Sequence, residues 1–194
     1  MVECDKQISS ITDENKIDFL RKNWFSHDAR WQMEVVKNFG WEAGNKINQA
    51  VIKDIGKVMM FRMMKILGIS EATNVNELRN LILPIVTLNF PPPLNVYQLE
   101  HVSSSSLCIK CQKCSTYDNV KKVNATKLYE CGCFSLRKGF FEALNLTLEQ
   151  ELESCLMNGD KECKIILKIK EWENLKEGAT EQVQNSEKQK SSMI

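Results

Sequence analysis

The stretch 148–169, LEQELESCLMNGDKECKIILKI, gives the clearest indication of how this chain folds. Within 163–169, apolar residues alternate with other residues, which is the pattern of a β-strand with one buried face. A second run, 148–156, precedes it, and the turn-forming residues Asn158-Gly159-Asp160 lie between the two. The stretch therefore predicts an antiparallel β-hairpin.

Two cysteines, Cys155 and Cys163, flank the turn of this hairpin. If residues 158–160 form a three-residue loop, the two cysteines lie directly opposite each other, with Cβ atoms about 4.5–5.5 Å apart. A two-residue loop, Asn158-Gly159, shifts the register and separates them. The alternative to a paired site is two small buried side chains, because free cysteine is commonly buried.

Upstream of the hairpin, residues 134–144 carry apolar side chains at four-residue steps and predict a helix. Short strands are predicted near 96–100 and 107–109. Before them, Pro91-Pro92-Pro93 can continue neither a helix nor a central strand, so these prolines predict a linker.

Helical spacing dominates the part of the chain before the linker. Ser26 is predicted to cap a helix, and Gly40 and Gly68 are predicted to end helices. Asn74 and Glu77 form a capping-box-like start for the last helix of this part.

Together these elements predict an α+β fold, in which an N-terminal helical region packs with a C-terminal, cysteine-rich antiparallel sheet and helix. The predicted organisation is a loose N-terminus at 1–11, a helical region at 12–90, a cysteine-rich α+β region at 94–172 and a disordered tail at 173–194.

The composition indicates which classes of partner to expect. A formal charge of +1 gives no electrostatic reason to expect nucleic acid. No stretch approaches the roughly 20 apolar residues of a membrane span, and the polar, acidic N-terminus lacks a signal pattern. We expect a cytoplasmic protein without a membrane partner; a small molecule is a candidate partner, and a homo-oligomer stays open.

Cysteine carries the strongest chemical signal, because seven of the eight cysteines lie between Cys108 and Cys163. In a reducing cytosol, clustered thiols are more often metal ligands or redox groups than disulfides. The spacing Cys111-x-x-Cys114 followed by Cys131-x-Cys133 predicts a four-thiolate site for zinc or an iron–sulfur cluster. The alternative ligands are Cys108, Cys155 and Cys163. A redox-active dithiol, favoured by neighbouring lysines, is a further interpretation.

A different hypothesis makes the protein an enzyme, a reductase or hydrolase acting on a small cyclic or aromatic molecule. Its catalytic residues would be His27, Asp28 and Arg62, facing a pocket of Trp24, Trp31 and the methionines beside Arg62. The plain alternative for His27-Asp28 is a pair in the first turn of a helix. A purely structural or partner-binding module is a third hypothesis.

Two stretches resemble known families. Residues 23–69 contain W-x-x-HD-x-x-W, then FG-x-E-A, then a long helix ending in LGI. This pattern resembles the N-terminal part of a family of uncharacterised cytosolic proteins of anaerobic bacteria and archaea.

Residues 129–169 resemble the end of the 4-vinyl reductase domain. The matching positions are Cys131 or Cys133, Gly139, Glu151 or Glu153, Cys155, Gly159-Asp160 and Cys163. This resemblance implies an α+β fold related to haem-nitric-oxide-binding domains and a small-molecule-binding role. It also implies that Cys155 and Cys163 bind metal together with Cys131 or Cys133, which competes with the four-thiolate set above.

Overall fold

The computed structural model describes residues 8–170, which divide into two compact units, 8–48 and 49–170. The boundary between the units, at residues 48 and 49, lies inside the predicted helical region rather than at the predicted linker Pro91-Pro92-Pro93. The predicted tail at 173–194 and the first seven residues of the predicted loose N-terminus lie outside the described residues. In the part described, no helix combines the length and the apolar character needed to cross a membrane.

Helices α1, Asp13–Leu67, and α2, Val75–Asn89, confirm the helical prediction for this part of the chain. Helix α1 is interrupted at Gly40, whose φ of 82° lies in the left-handed region that favours glycine. The predicted cap at Ser26 is wrong, because α1 is continuous there and the Ser26 carbonyl accepts a hydrogen bond from Arg30.

The start of α2 confirms the capping prediction. The Asn74 side chain accepts a hydrogen bond of 3.0 Å from the backbone N–H of Glu77. Glu77 in turn accepts bonds of 2.8 and 2.9 Å from the N–H and hydroxyl of Thr73, which lower the pKa of its carboxyl group. Free N–H groups of the first turn are thereby satisfied.

The second unit contains a four-stranded antiparallel sheet with the order β1-β2-β4-β3. Its strands are β1 Val96–Ser103, β2 Ser106–Lys113, β3 Leu148–Ser154 and β4 Cys163–Ile169. The predicted hairpin is therefore confirmed as β3 and β4. Helix α4, Cys133–Ala143, confirms the helix predicted at 134–144, whereas α3, Ser115–Lys122, was not predicted. The fold is α+β.

One hydrophobic core joins helices α1, α2 and α4 of this unit to one face of the sheet. Its most deeply buried members are Met60, Val75, Leu78, Leu81, Ile82, Leu107, Phe140, Phe141, Leu167 and Ile169. The alternation read from 163–169 has a direct cause here, since Leu167 and Ile169 face this core and Lys168 is exposed.

Two glycines allow α4 to lie directly against the second half of α1. A Cβ at Gly139 would lie 2.0 Å from the Lys53 carbonyl oxygen, and one at Gly56 would lie 2.4 Å from the Leu136 carbonyl oxygen. Both neighbours are backbone atoms that cannot rotate away. The two backbones are therefore in contact at a distance that no larger residue permits.

We predict that Gly139→Ala destabilises the protein by about 2 kcal/mol, because the clash outweighs the roughly 1 kcal/mol that alanine gains in a helix interior. The melting temperature should fall by roughly 4–8 °C in a thermal unfolding experiment. Lys138→Ala is the matched control, since Lys138 is the exposed neighbour on the same helix. A Gly139→Ala protein that melts at or above the wild-type temperature would contradict this packing.

Candidate functional site

Six of the cysteines line one cavity in the second unit. They come from three separate segments: the end of β2 and the start of α3, the start of α4, and the β3–β4 hairpin. We call this space the cysteine cavity. Its lining residues are Tyr97, Ile109, Cys111, Cys114, Tyr117, Cys131, Cys133, Phe134, Arg137, Leu152, Cys155, Leu156, Met157, Cys163 and Ile165. Both predicted ligand sets, apart from Cys108, thus face the same space.

The register of the sheet brings thiols from neighbouring strands together. Cys111 on β2 is paired directly with Cys163 on β4. Ser154 is paired with Lys164, so Cys155 comes next, beside Cys163, and their Sγ atoms are 3.9 Å apart. The predicted juxtaposition of Cys155 and Cys163 is therefore confirmed.

A longer turn than the predicted three-residue loop joins the two strands. Residues Leu156–Asn158 form a 3-10 turn, and Gly159 follows with a φ of 92°. The Asp160 carboxylate accepts a 2.7 Å hydrogen bond from the backbone N–H of Cys155, and the Leu156 N–H points at the Cys163 sulfur at 3.3 Å. These bonds fix the side of the turn on which the thiols lie.

Cys108 lies on the other face of the sheet. It is separated from Cys111 by three positions of strand β2, and side chains alternate between faces along a strand. Cys108 is buried, and burial is the main cause that raises its pKa. It does not line the cysteine cavity. The suggestion that Cys108 could serve as an additional ligand is therefore not supported by the position it takes.

Cys114 occupies the N-cap position of α3. Its pKa is lowered to about 7, first by its interaction with the neighbouring Cys111 thiol and then by the N–H groups of Tyr117 and Thr116, against the opposing effect of burial. The same interaction, together with burial, raises the pKa of Cys111. The N-terminal end of a helix favours the thiolate form of Cys114 over that of Cys111.

Cys131 and Cys133 form a second pair at the start of α4. The pKa of Cys131 is lowered to about 6, mainly by the Cys133 thiol, with smaller contributions from the Cys133 N–H and from Arg137. The pKa of Cys133 rises correspondingly. Cys163 behaves differently, since burial is the largest cause that raises its pKa to about 12.

Arg137 is a buried cation in the wall of the cavity, with 7% of its surface exposed. Its Nε atom donates a 2.6 Å hydrogen bond to the Gln150 side chain, and its guanidinium lies 4.9 Å from the centre of the Phe134 ring. Gln150 is held in turn by a 3.0 Å bond that its amide donates to the Phe134 carbonyl. Sequence reasoning did not identify Arg137, although its four-residue spacing from Cys133 places the two on one helix face.

A buried polar network positions Cys114 and the start of α3. The Asn95 side chain accepts hydrogen bonds of 3.0 and 2.8 Å from the N–H and hydroxyl of Ser115, and its amide donates to the Tyr97 hydroxyl. Tyr97 lines the cavity, and burial raises its pKa. No local sequence signal predicts this network, because Asn95 and Ser115 are twenty positions apart.

The thiols share a cavity without forming a finished coordination shell. Within residues 8–170, no three histidine, cysteine, aspartate or glutamate side chains are already arranged to hold a metal ion. The predicted ligand set Cys111, Cys114, Cys131 and Cys133 is brought together around one space, and zinc or iron–sulfur binding stays a prediction.

The residues of the enzyme hypothesis lie elsewhere. His27 and Asp28 are exposed in the first unit, as are Trp24 and Trp31, which expose 55% and 61% of their surface. Arg62 is exposed in the second unit. The neighbouring methionines Met60, Met63 and Met64 are buried in the hydrophobic core instead of lining a pocket wall. None of the three proposed catalytic residues lines the cysteine cavity, and their catalytic role stays a prediction.

We predict that mild oxidation of the metal-free protein links Cys155 to Cys163, because their sulfur atoms already lie 3.9 Å apart. Trypsin cleaves after Lys161, so the link would join peptides 139–161 and 162–164 in a non-reducing digest analysed by mass spectrometry. Cys108 should stay available to alkylating reagents after unfolding. A main product that links Cys163 to Cys111 would contradict the geometry of the hairpin.

No protein-family model and no curated protein matches this chain. Among solved structures, the chain is similar to a trafficking protein particle complex subunit 3 from Naegleria fowleri, covalently bound to palmitic acid, with a TM-score of 0.55 and 14% identity over 81% of this chain and 97% of that one. It is also similar to an Fe(II) unliganded H-NOX protein from K. algicida, with a TM-score of 0.47 and 17% identity over 75% and 73% of the two chains. An H-NOX domain from Shewanella oneidensis gives a TM-score of 0.41 and 12% identity over 71% and 72%. At these identities, the similarity to the trafficking subunit concerns the fold alone.

Proposed function

We propose that this protein binds a thiophilic metal, as a zinc ion or an iron–sulfur cluster, in the cysteine cavity. The observation that carries the proposal is that six cysteines from three segments of the chain face one space. Thiolates are the ligands that zinc and iron–sulfur clusters take from proteins.

The first choice of ligands is Cys111, Cys114, Cys131 and Cys133. All four line the cysteine cavity, so the two short-spaced pairs face the same space. Cys114 and Cys133 also lie at the starts of helices α3 and α4, where backbone N–H groups favour a thiolate. Cys155 and Cys163 adjoin this set through the pairing of Cys163 with Cys111.

The spacing of the thiols is compatible with metal binding after small rotations. A tetrahedral zinc ion with Zn–S bonds of about 2.3 Å requires S···S distances of about 3.8 Å. One pair, Cys155 and Cys163, already has a separation of 3.9 Å. Rotation about a single χ1 bond moves a cysteine sulfur by about 3 Å, so each thiol can change its position in the cavity without movement of the backbone.

The size of the cavity favours a metal over a lipid. The cysteine cavity measures about 40 Å³, whereas a single water molecule needs roughly 10–15 Å³ of such space. The similar trafficking subunit is covalently bound to palmitic acid, but a long acyl chain does not fit a cavity of this size. Metal binding also agrees with the resemblance of residues 129–169 to the 4-vinyl reductase domain, which is itself a proposal.

We expect anaerobically purified protein to contain about one zinc ion, or one cluster with its iron and acid-labile sulfide, per chain. Replacing Cys111 and Cys114 together by serine, or Cys131 and Cys133 together, should abolish binding because each change removes two ligands. Elemental analysis and an absorption spectrum measure both outcomes, and circular dichroism checks the fold of each variant.

Two variants serve as controls. Cys108→Ser removes a thiol on the other face of the sheet, and a joint Cys155→Ser and Cys163→Ser change removes the adjoining pair; both should retain the metal. If only the joint Cys155→Ser and Cys163→Ser variant loses the metal, the first choice of ligands is wrong and the alternative set replaces it. Wild-type protein without stoichiometric metal would overturn the proposal itself.

A further inference from the structure

We propose that Arg137 is the charge-compensating residue of this metal site, donating from its guanidinium to the metal-bound thiolates and offsetting part of their negative charge. This inference rests on the proposed metal binding. It assigns a positioning and electrostatic role to a side chain that is not itself a ligand.

The first support is that Arg137 is buried without a carboxylate partner. Its Nε atom is bonded to Gln150, but its Nη2 atom is buried and lacks a hydrogen-bond partner within the described residues. Among residues 8–170, no aspartate or glutamate forms an ion pair with it. A buried charge of this kind is costly unless a negative group completes it.

The second support is the charge of the loaded site. Four thiolates around Zn²⁺, or around the oxidised core of a common iron–sulfur cluster, leave a net charge of about −2. Arg137 is the one cationic side chain in the lining of the cysteine cavity, and that lining contains no carboxylate. A single positive charge in an otherwise apolar wall therefore faces the place where negative charge would collect.

The third support is the position of Arg137 relative to the ligands. It follows Cys133 by four residues on α4, so the two side chains share a helix face. Arg137, Cys131 and Cys133 line the same cavity. The bond from Gln150 and the contact with Phe134 hold the guanidinium in place before a metal arrives. Preorganised donors of this kind around first ligands change metal affinity by about 10- to 100-fold.

Cobalt(II) is the probe that tests this role, because thiolate-to-cobalt absorption reports the ligands while competition with a chelator reports affinity. We expect Arg137→Gln to weaken cobalt binding by about 10- to 100-fold while the absorption pattern stays that of the wild type. Arg137→Lys keeps the charge and should recover most of the affinity. Lys138→Gln is the matched control, since it removes the same charge from an exposed neighbour, and its affinity should equal that of the wild type.

Several outcomes would overturn the role. Unchanged cobalt affinity in Arg137→Gln would contradict the proposed role. An altered absorption pattern in that variant would show instead that Arg137 stabilises the fold. Wild-type affinity that depends on added acetate would assign the guanidinium to an external anion instead. If Arg137→Gln does not fold, Gln150→Leu keeps the charge and frees the guanidinium, and affinity equal to wild type in that variant also counts against the proposal. Wild-type protein that binds neither cobalt nor a reconstituted iron–sulfur cluster contradicts the proposed function, which separates the two failures.

Discussion

The close contact between the backbones of α4 and the second half of α1 is the constraint on which the site depends. Side chains larger than hydrogen at Gly56 and Gly139 would meet backbone carbonyl groups, so this contact allows little adjustment. The start of α4 lies beyond it, and there Cys131 and Cys133 take their places beside the sheet. A wider helix separation would carry these two thiols away from Cys111 and Cys114, which line the same cavity.

The sheet imposes a second constraint, because the position of a residue along its strand determines which face its side chain occupies. Side chains on one strand alternate between faces, so a shift of one residue exchanges the faces completely. The pairing of Cys111 with Cys163 puts both thiols toward the cavity and leaves Cys108 on the opposite face. The three cysteines of CIKCQKC therefore do not act as one group. Two of them belong to the site because β2 ends between them and α3 begins, which turns Cys114 back toward Cys111.

How far the sequence predicts this structure depends on how local each signal is. The hairpin follows from the alternation in 163–169, and the start of α2 follows from Asn74 and Glu77, because both signals act within a few residues. The pairing of Cys111 with Cys163 is not predictable in this way, since it depends on β2 lying beside β4. Arg137 is not predicted as a site residue, because an arginine in a helix is commonly exposed. Only its contacts with Gln150 and Phe134 in the folded protein make it a buried cation.

The apolar wall of the cavity disfavours thiolate anions, whereas a bound metal ion needs them as ligands. This conflict determines what the site can hold. Burial raises the pKa values of Cys111, Cys133 and Cys163, whereas those of Cys114 and Cys131 fall to about 7 and about 6. The interactions that lower the pKa values of Cys114 and Cys131 favour their thiolate forms, and Arg137 is one of those interactions at Cys131. A hard cation gains little from sulfur donors. A soft cation forms strong bonds to sulfur and displaces the remaining thiol protons as it binds, so the metal itself supplies the free energy that deprotonates the other ligands.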